Sequence, residues 1–140
     1  MKILLGVDDS PCTRHMFECL AAQATWLESS HEYTALHVLA PLPNGLAALL
    51  TREQVEVRYA DASRAIFSVL SQALNRLPGH AARSHSIGDP GTLLARRAAE
   101  DGFDIVMVGS HGRGSIAQLV AGSTVTRLLA HATTPVLVMR

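Results

Sequence analysis

The order of apolar runs along the chain constrains its fold more than any other feature of the sequence. Apolar runs lie at residues 3–7, 33–40, 104–108 and 135–139, and a weaker segment at 82–87 alternates polar and apolar residues, which is typical of a strand near a sheet edge. Between these runs, apolar residues recur at helical spacing. Strands separated by helices pair in parallel through right-handed crossovers. We therefore expect an α/β fold, with five parallel strands in one sheet and helices on both faces.

Length and composition favour a single domain, residues 1–140, with an aliphatic core. A chain of this size buries roughly 68–70% of its surface on folding, so it needs no metal or disulfide for stability. Hydrophobic residues make up 48% of the chain and aromatic residues only 4%, so Leu, Val, Ile and Ala must fill the core. Twelve basic residues balance twelve acidic ones. This balance leaves no basic stripe for nucleic acid, and we expect no nucleic-acid partner.

Cysteine usage and the first residues favour a soluble cytoplasmic protein. Cys12 and Cys19 are too close in sequence to staple a domain, and free thiols fit a reducing compartment. The apolar run at residues 3–7 is far too short for a signal peptide or a membrane span, so we expect no membrane partner.

Local signals predict where the helices begin and end. Ser10 and Pro11 start a helix that runs to about Glu28, and residues 41–45 predict an ordinary loop. Asp89-Pro90 opens a helix that ends at Gly102, and the last helix covers about residues 123–130.

The longest helix is predicted from a capping box, in which Thr51 is the cap and Gln54 stands three residues later. Pro78 and Gly79 stop this helix. Its expected apolar stripe consists of Tyr59, Ala62, Ile66, Val69, Ala73 and Leu77.

A glycine-rich segment, residues 109–123, follows the predicted fourth strand. Its residues are Gly109, Ser110, His111, Gly112, Arg113, Gly114 and Ser115, and then Gly122 and Ser123, which with Thr124 begin the last helix. Glycines let backbone N–H groups approach a ligand closely, and a helix N-terminus attracts anions. Hydroxyl groups and one arginine add to this, so the segment favours phosphate. A plain glycine-rich turn is the alternative, which spacing alone leaves open; neither a P-loop nor a G-x-G-x-x-G motif is present.

Other strand ends are candidates for the same site, because ligands of open α/β sheets bind beyond the carboxyl ends of the strands. Gly6, Val7 and Asp8 end the first strand, and Val38 lies near the end of the second. Asp8 either contacts a ligand or caps the following turn, and we favour the ligand.

The spacing Gly109-x2-Gly112-x9-Gly122-Ser123 resembles the G-2x-G-9x-G-(S/T) signature of the universal stress protein family. The resemblance extends over the whole chain: residues 2–10 (KILLGVDDS), 36–38, 88–90, 104–112 and 135–139 resemble that family's first strand, second strand, third-helix entry, fourth strand and fifth strand. It implies a Rossmann-like sheet in the order 3-2-1-4-5. It also implies an ATP ligand, or AMP or ADP, with or without Mg²⁺.

The resemblance also implies roles for individual residues. Val38 would contact adenine through its backbone, and Asp8 would lie beside the ribose and a phosphate-bound Mg²⁺. The phosphates would be held by Gly109, Gly112, Gly122, Ser123 and Thr124, and the expected site further includes Gly6, Val7, Val108, His111 and Arg113. Asp9 replaces the glycine or aromatic residue often found after this aspartate, which adds negative charge near the pocket.

Several residues have a plainer interpretation that we prefer. Cys12, His15 and Cys19 share one helical face, but a zinc site normally needs four ligands, so we expect packing and surface roles. We expect His111 to be an ordinary loop histidine, although a phosphate contact or phosphoacceptor role stays open. We expect His37 to be a satisfied core or partly exposed histidine, and Trp26 to pack.

Function and assembly follow from the resemblance. We expect an ATP-binding, nucleotide-dependent regulator of the stress response, with no assigned catalytic residue and at most weak ATPase or autophosphorylation activity. The strand Val136–Met139 is an uncharged edge in that sheet order and predicts a homodimer. Two alternatives stay open: a nucleotide-using phosphatase or transferase that employs His111 or Asp8, and an interaction protein with an empty site.

Overall fold

Strands and helices alternate along the chain. The computed structural model describes residues 1–22, 31–77, 81–110 and 122–140. The strands in these residues are β1 (Lys2–Gly6), β2 (Glu32–Leu39), β3 (Ala82–Ile87), β4 (Ile105–Gly109) and β5 (Val136–Met139). The helices are α1 (Pro11–Ala22), α2 (Asn44–Ala47), α3 (Arg52–Val69), α4 (Ser71–Asn75), α5 (Pro90–Glu100) and α6 (Ser123–His131).

The five strands form one parallel sheet in the order β3-β2-β1-β4-β5. This confirms the predicted fold class, and β3 lies at an edge as its alternating pattern predicts. β1 is the central strand: Ile3 pairs with Tyr33 of β2 on one side and with Ile105 of β4 on the other. The main-chain N–H of Asp104 donates to the Lys2 carbonyl oxygen over 2.9 Å, which fixes the start of the β1–β4 pair.

Each face of the sheet carries its own apolar cluster, because successive strand side chains point to opposite faces. Ile3 and Leu5 of β1 belong to the cluster under α1, α3 and α4, whereas Leu4 belongs to the cluster under α5 and α6. All three side chains are fully buried. The largest fully buried side chains are leucine, isoleucine, valine and methionine. The expectation of a purely aliphatic core is right only in part, because Phe17, Tyr33, Phe67 and Phe103 are buried as well.

Helix caps agree closely with the sequence signals. The Thr51 hydroxyl accepts from the Gln54 main-chain N–H, and the Gln54 side chain accepts from the Thr51 N–H, so the predicted capping box is confirmed. Asp89 caps α5, and Gly102 just after that helix has φ +65°, a conformation that suits glycine. The predicted end of α1 near Glu28, the packing of Trp26 and the stop at Pro78-Gly79 lie outside the described residues.

Two local predictions are wrong in part. The loop expected at residues 41–45 gives way at Asn44 to the single-turn helix α2, because the Pro43 carbonyl accepts from the N–H groups of Leu46 and Ala47. The stripe expected on the longest helix is right in part. Leu77 is buried, and Ile66 and Ala73 pack against the core, but Val69 is 62% exposed. The other buried side chains of this stretch are Ser63, Phe67, Leu70 and Leu74. The larger Phe67 takes the place next to the sheet, and the helix is interrupted at Leu70.

Candidate functional site

A cavity of about 280 Å³ lies beyond the carboxyl ends of β1 and β4. These are the strands between which the strand order reverses, and ligands of open α/β sheets bind at this point. The described residues that line the cavity are Gly6, Val7, Asp8, Ser10, Cys12, Thr13, Leu36, Val38, Pro90, Leu94, Val108, Gly109, Gly122, Ser123, Thr124 and Val125.

The structure brings the sequence-predicted site residues together wherever it describes them. Those that line the cavity are Gly6, Val7, Asp8, Val38, Val108, Gly109, Gly122, Ser123 and Thr124. His111, Gly112 and Arg113 lie outside the described residues, so their predicted roles stay predictions.

The sequence predictions missed part of the lining. Ser10 and Thr13 line the cavity beside Asp8, and Leu36 and Leu94 supply apolar surface near Val38. A sequence signal existed for Leu36, since residues two apart on a strand share a face. The signal at Ser10 indicates only the start of α1.

Asp8 is held by hydroxyl groups from the start of α1. Its Oδ1 accepts from the Thr13 hydroxyl at 2.6 Å, the Ser10 hydroxyl at 2.5 Å and the Ser10 main-chain N–H at 3.0 Å. Its own main-chain N–H donates to the Thr13 Oγ1 at 3.0 Å. Oδ1 therefore caps the turn, whereas no hydrogen bond reaches Oδ2 from the described residues. The carboxylate has a capping oxygen and an oxygen left for a ligand.

Two opposing effects act on the pKa of Asp8. Partial removal of water by the surrounding protein raises it, but hydrogen bonds from Ser10 and Thr13, with a smaller contribution from His37, outweigh that effect. The pKa of Asp8 is therefore below its ordinary value, and the group is an anion at neutral pH.

His37 of β2 holds the backbone next to Asp8. It is 8% exposed, and its Nδ1 lies 2.8 Å from the carbonyl oxygen of Val7. A carbonyl oxygen only accepts, so Nδ1 carries the hydrogen and donates it. The prediction of a satisfied core histidine is confirmed.

Glycine is required where β4 meets α1. A Cβ placed on Gly109 would lie 2.1 Å from the carbonyl oxygen of Cys12, so the close approach of strand and helix depends on the missing side chain. Gly91 plays a similar part between α5 and α6, where an added Cβ would lie 2.7 Å from the Thr124 carbonyl oxygen. Arg127 of α6 also forms an ion pair with Asp89, the cap of α5, at 2.7 Å. These contacts fix the first turn of α6 at the edge of the cavity.

The electrostatics of the cavity come from a helix end and a carboxylate. α6 begins after Gly122 without a side-chain cap, so the first N–H groups of this helix have no side-chain acceptor among the described residues. The described lining contains Asp8 but no lysine or arginine. Asp9 does not line the cavity, and its carbonyl oxygen accepts from the Arg14 guanidinium at 2.7 Å. The arrangement suits an anion at the α6 end and a hydroxyl group or cation at Asp8.

Metal-binding clusters and membrane-spanning helices are both absent from the described residues. Within the described ranges, no group of three His, Cys, Asp or Glu side chains is placed to hold a metal ion. The set Cys12, His15 and Cys19 is therefore not such a group. In the same described ranges, no helix is long and apolar enough to cross a membrane.

Comparisons with known proteins agree with this architecture. UspA from Lactobacillus plantarum shares 24% identity at a TM-score of 0.70, covering 100% of this chain and 97% of that one. A universal stress protein family protein from Arabidopsis thaliana, solved with AMP bound, shares 16% identity at a TM-score of 0.66, covering 99% and 90%. A universal stress protein solved in complex with cAMP shares 20% identity at a TM-score of 0.62, covering 99% and 94%.

A search of curated proteins found no match to the sequence. The model of the universal stress protein family matches residues 1–140, which is the whole chain. The chain therefore belongs to the universal stress protein family.

Proposed function

We propose that this chain binds an adenine nucleotide in the cavity between β1 and β4 and acts as a nucleotide-dependent regulator in the stress response. The observation that carries the proposal is that the N-terminus of α6, which has no side-chain cap among the described residues, lines the same cavity as Asp8, at the point where the strand order reverses. We place residues 1–140 in one domain, and we infer a cytoplasmic location from the free thiols of Cys12 and Cys19.

The adenine end of the proposed site is apolar with an open backbone edge. Leu36, Val38 and Leu94 line it. The β1–β2 ladder ends where the Val7 N–H donates to the Leu36 carbonyl oxygen at 3.0 Å. Val38 lies two residues further along β2, so its N–H and C=O point toward the same side, past the end of β1. A donor and an acceptor beside an apolar wall suit the edge and the faces of a purine ring.

The phosphate end is formed by Gly109, Gly122, Ser123 and Thr124. Backbone N–H groups and hydroxyl groups offer donors there, and the helix dipole adds a partial positive charge. We propose that Gly112, Arg113 and His111 extend this end.

Mg²⁺ suits the donor set when the nucleotide is a polyphosphate. Its oxygen ligands would be Asp8 and the phosphates, in keeping with its usual preference. The described lining supplies an anion and no basic side chain, so a divalent cation would offset the charge of ATP near Asp8. AMP carries less charge and needs this compensation less.

The relatives support an adenine ligand. The Arabidopsis protein was solved with AMP and another universal stress protein with cAMP. ATP, ADP and AMP are all candidates for this chain, and titration calorimetry with each of them, in Mg²⁺ and in EDTA, tests the proposal. We expect EDTA to weaken ATP binding more than AMP binding. Failure to bind ATP with Mg²⁺ at millimolar concentration would exclude ATP, and failure to bind any of the three nucleotides would contradict the proposal.

Matched variants locate the site. Thr124→Val removes a hydroxyl at the phosphate end, and we expect it to weaken ATP binding by roughly tenfold, the loss of about one hydrogen bond to a charged group. Ser68→Ala on the exposed face of α3 is the control and should bind like the parent chain. A regulator predicts binding with little turnover; rapid ATP hydrolysis that is lost in Asp8→Ala would instead favour an enzyme.

We also propose a homodimer joined through Val136–Met139. β5 is an edge strand without charge, and all four of its residues are only partly buried. The carbonyl oxygens of Pro135 and Met139 accept from the N–H groups of Val106 in β4 and of Ser110 just after it, so the N–H groups of Val136 and Val138 point outward. Val138→Pro removes one outward donor without touching the β4 ladder. Sedimentation should show a dimer for the parent chain and a monomer for Val138→Pro, and a monomeric parent at micromolar concentration would overturn the dimer.

A further inference from the structure

A cysteine, a histidine and a glutamate form a hydrogen-bonded chain on the surface of α1, away from the nucleotide cavity. The Sγ of Cys19 lies 3.4 Å from Nε2 of His15, and Nδ1 of the same ring lies 3.4 Å from Oε2 of Glu18. Helical spacing produces the chain, since residues three and four apart lie on one side of a helix. None of the three lines the cavity described above.

The partners fix which ring nitrogen carries hydrogen. The Glu18 carboxylate only accepts, so Nδ1 of His15 donates to it, and Nε2 of the neutral ring is the acceptor. Nε2 therefore faces the Cys19 thiol as a base. A nucleophile, a base within hydrogen-bond reach and a third group that orients the base are the parts of an activated nucleophile.

This group of Cys19, His15 and Glu18 is accessible to reagents from solvent. The side chains of His15 and Glu18 are 33% and 77% exposed, and Cys19 is partly buried. Cys12 has the same partial burial on the same helix, but no hydrogen bond joins its sulfur to an imidazole among the described residues. The molecule thus contains its own comparison thiol.

We propose that Cys19 is a reactive thiol, activated by His15 and Glu18, that is oxidised by hydroperoxides. His15 takes the thiol proton as the sulfur attacks the terminal peroxide oxygen. The S–O bond forms and the O–O bond breaks, so sulfur loses two electrons and the peroxide gains them. The leaving oxygen takes the proton from His15, which yields an alcohol, or water from hydrogen peroxide, and a sulfenic acid at Cys19.

Geometry determines the fate of the sulfenic acid. Cys12 and Cys19 are seven residues apart on a helix, a rise of about 10.5 Å, whereas disulfides need Cα atoms within about 7 Å. Cys19 sulfenic acid cannot be resolved by Cys12 while α1 is intact. A small external thiol would condense with it instead, with loss of water, to give a mixed disulfide.

The test treats the full chain with hydrogen peroxide, traps sulfenic acid with dimedone and maps the adduct by mass spectrometry. We expect Cys19 to be labelled at least about tenfold faster than Cys12, a modest effect for a positioned base. His15→Gln should reduce the Cys19 rate to near that of Cys12. Equal labelling of the two cysteines, or an unchanged rate in His15→Gln, would overturn the proposal.

Glu18 is a positioning residue, and a pair of variants separates that role from general helix stability. Glu18→Gln keeps an oxygen that can accept from Nδ1 and should retain most of the rate, whereas Glu18→Ala should lose it. Circular dichroism of each variant establishes that α1 remains folded. Alkylation by iodoacetamide repeats the comparison without an oxidant, and the same ranking is expected; equal rates in Glu18→Gln and Glu18→Ala would remove Glu18 from the mechanism.

Discussion

His37 donates its Nδ1 hydrogen to the carbonyl oxygen of Val7 across 2.8 Å, one residue before the carboxylate of Asp8. A side chain on β2 thus holds the backbone at the point where β1 ends. The bond is buried, so the position of Asp8 depends on a contact that no ligand needs to make.

Loss of this bond should be costly. His37→Ala leaves the Val7 carbonyl without its partner, and we expect the free energy of unfolding to fall by about 1–3 kcal/mol. Urea denaturation measures the change. His85→Ala is the matched control, because His85 is the register partner of His37 on β3 but is exposed, and its effect should stay within about 0.5 kcal/mol. Equal losses in the two variants would show that the bond contributes little.

The Asp8 network should make stability depend on pH in acid. The pKa of Asp8 is lower in the folded chain, so its contribution is present above the ordinary value of about 4 and is lost as the pH falls through the folded pKa. Thr13→Val keeps the buried shape but removes a donor, so the pKa of Asp8 should rise toward its ordinary value. Carboxyl titration by NMR measures this directly. Ser68→Ala should leave the titration unchanged, and an identical curve in Thr13→Val would refute the role of Thr13.

Gly109 should tolerate no side chain. Gly109→Ala places a Cβ 2.1 Å from the Cys12 carbonyl oxygen, and backbone atoms must move to relieve the overlap. We expect a loss of about 1–3 kcal/mol in unfolding free energy, together with weaker nucleotide binding. Gly45→Ala is the control, since no atom lies within 4 Å of the added carbon. Thermal unfolding of both variants tests this difference in stability. Equal stabilities of the two variants would show that the junction of β4 and α1 is loosely packed.

The face of α3 that packs on the sheet can be tested with two truncations. Phe67 is 7% exposed and Val69 is 62% exposed. Phe67→Ala should cost about 3–5 kcal/mol, whereas Val69→Ala should be close to neutral. A larger loss of unfolding free energy in Val69→Ala than in Phe67→Ala would mean that Val69 lies on the buried face, as the sequence predicted.

Local chemistry explains which parts of the fold were predictable. Two helix starts are marked by Thr51 with Gln54 and by Asp89 before Pro90. Their capping hydrogen bonds join residues three apart, so the local sequence is sufficient to predict them. Apolar runs predicted β1, β2, β4 and β5, because a buried strand is apolar on both faces, and the alternating pattern at 82–87 predicted the edge strand β3.

The failures have longer-range causes. Phe67, and not Val69, lies on the buried face of α3, because packing against the sheet determines which side of a helix is buried. The hydroxyl groups of Ser10 and Thr13 donate to Asp8 because the turn between β1 and α1 places these three residues together. The cavity itself unites Asp8 with Ser123, and only the strand order brings these distant residues to one edge.

The central place of β1 also has a consequence for synthesis of the chain. β1 gains its first neighbour, β2, after about thirty residues, but its second neighbour begins at Ile105. Non-local pairs of this kind form late, because loop closure must precede them. A chain emerging from the ribosome thus presents one unpaired edge of β1 until β4 appears. During that interval, a strand whose Ile3, Leu4 and Leu5 are fully buried in the folded protein is open to other nascent chains.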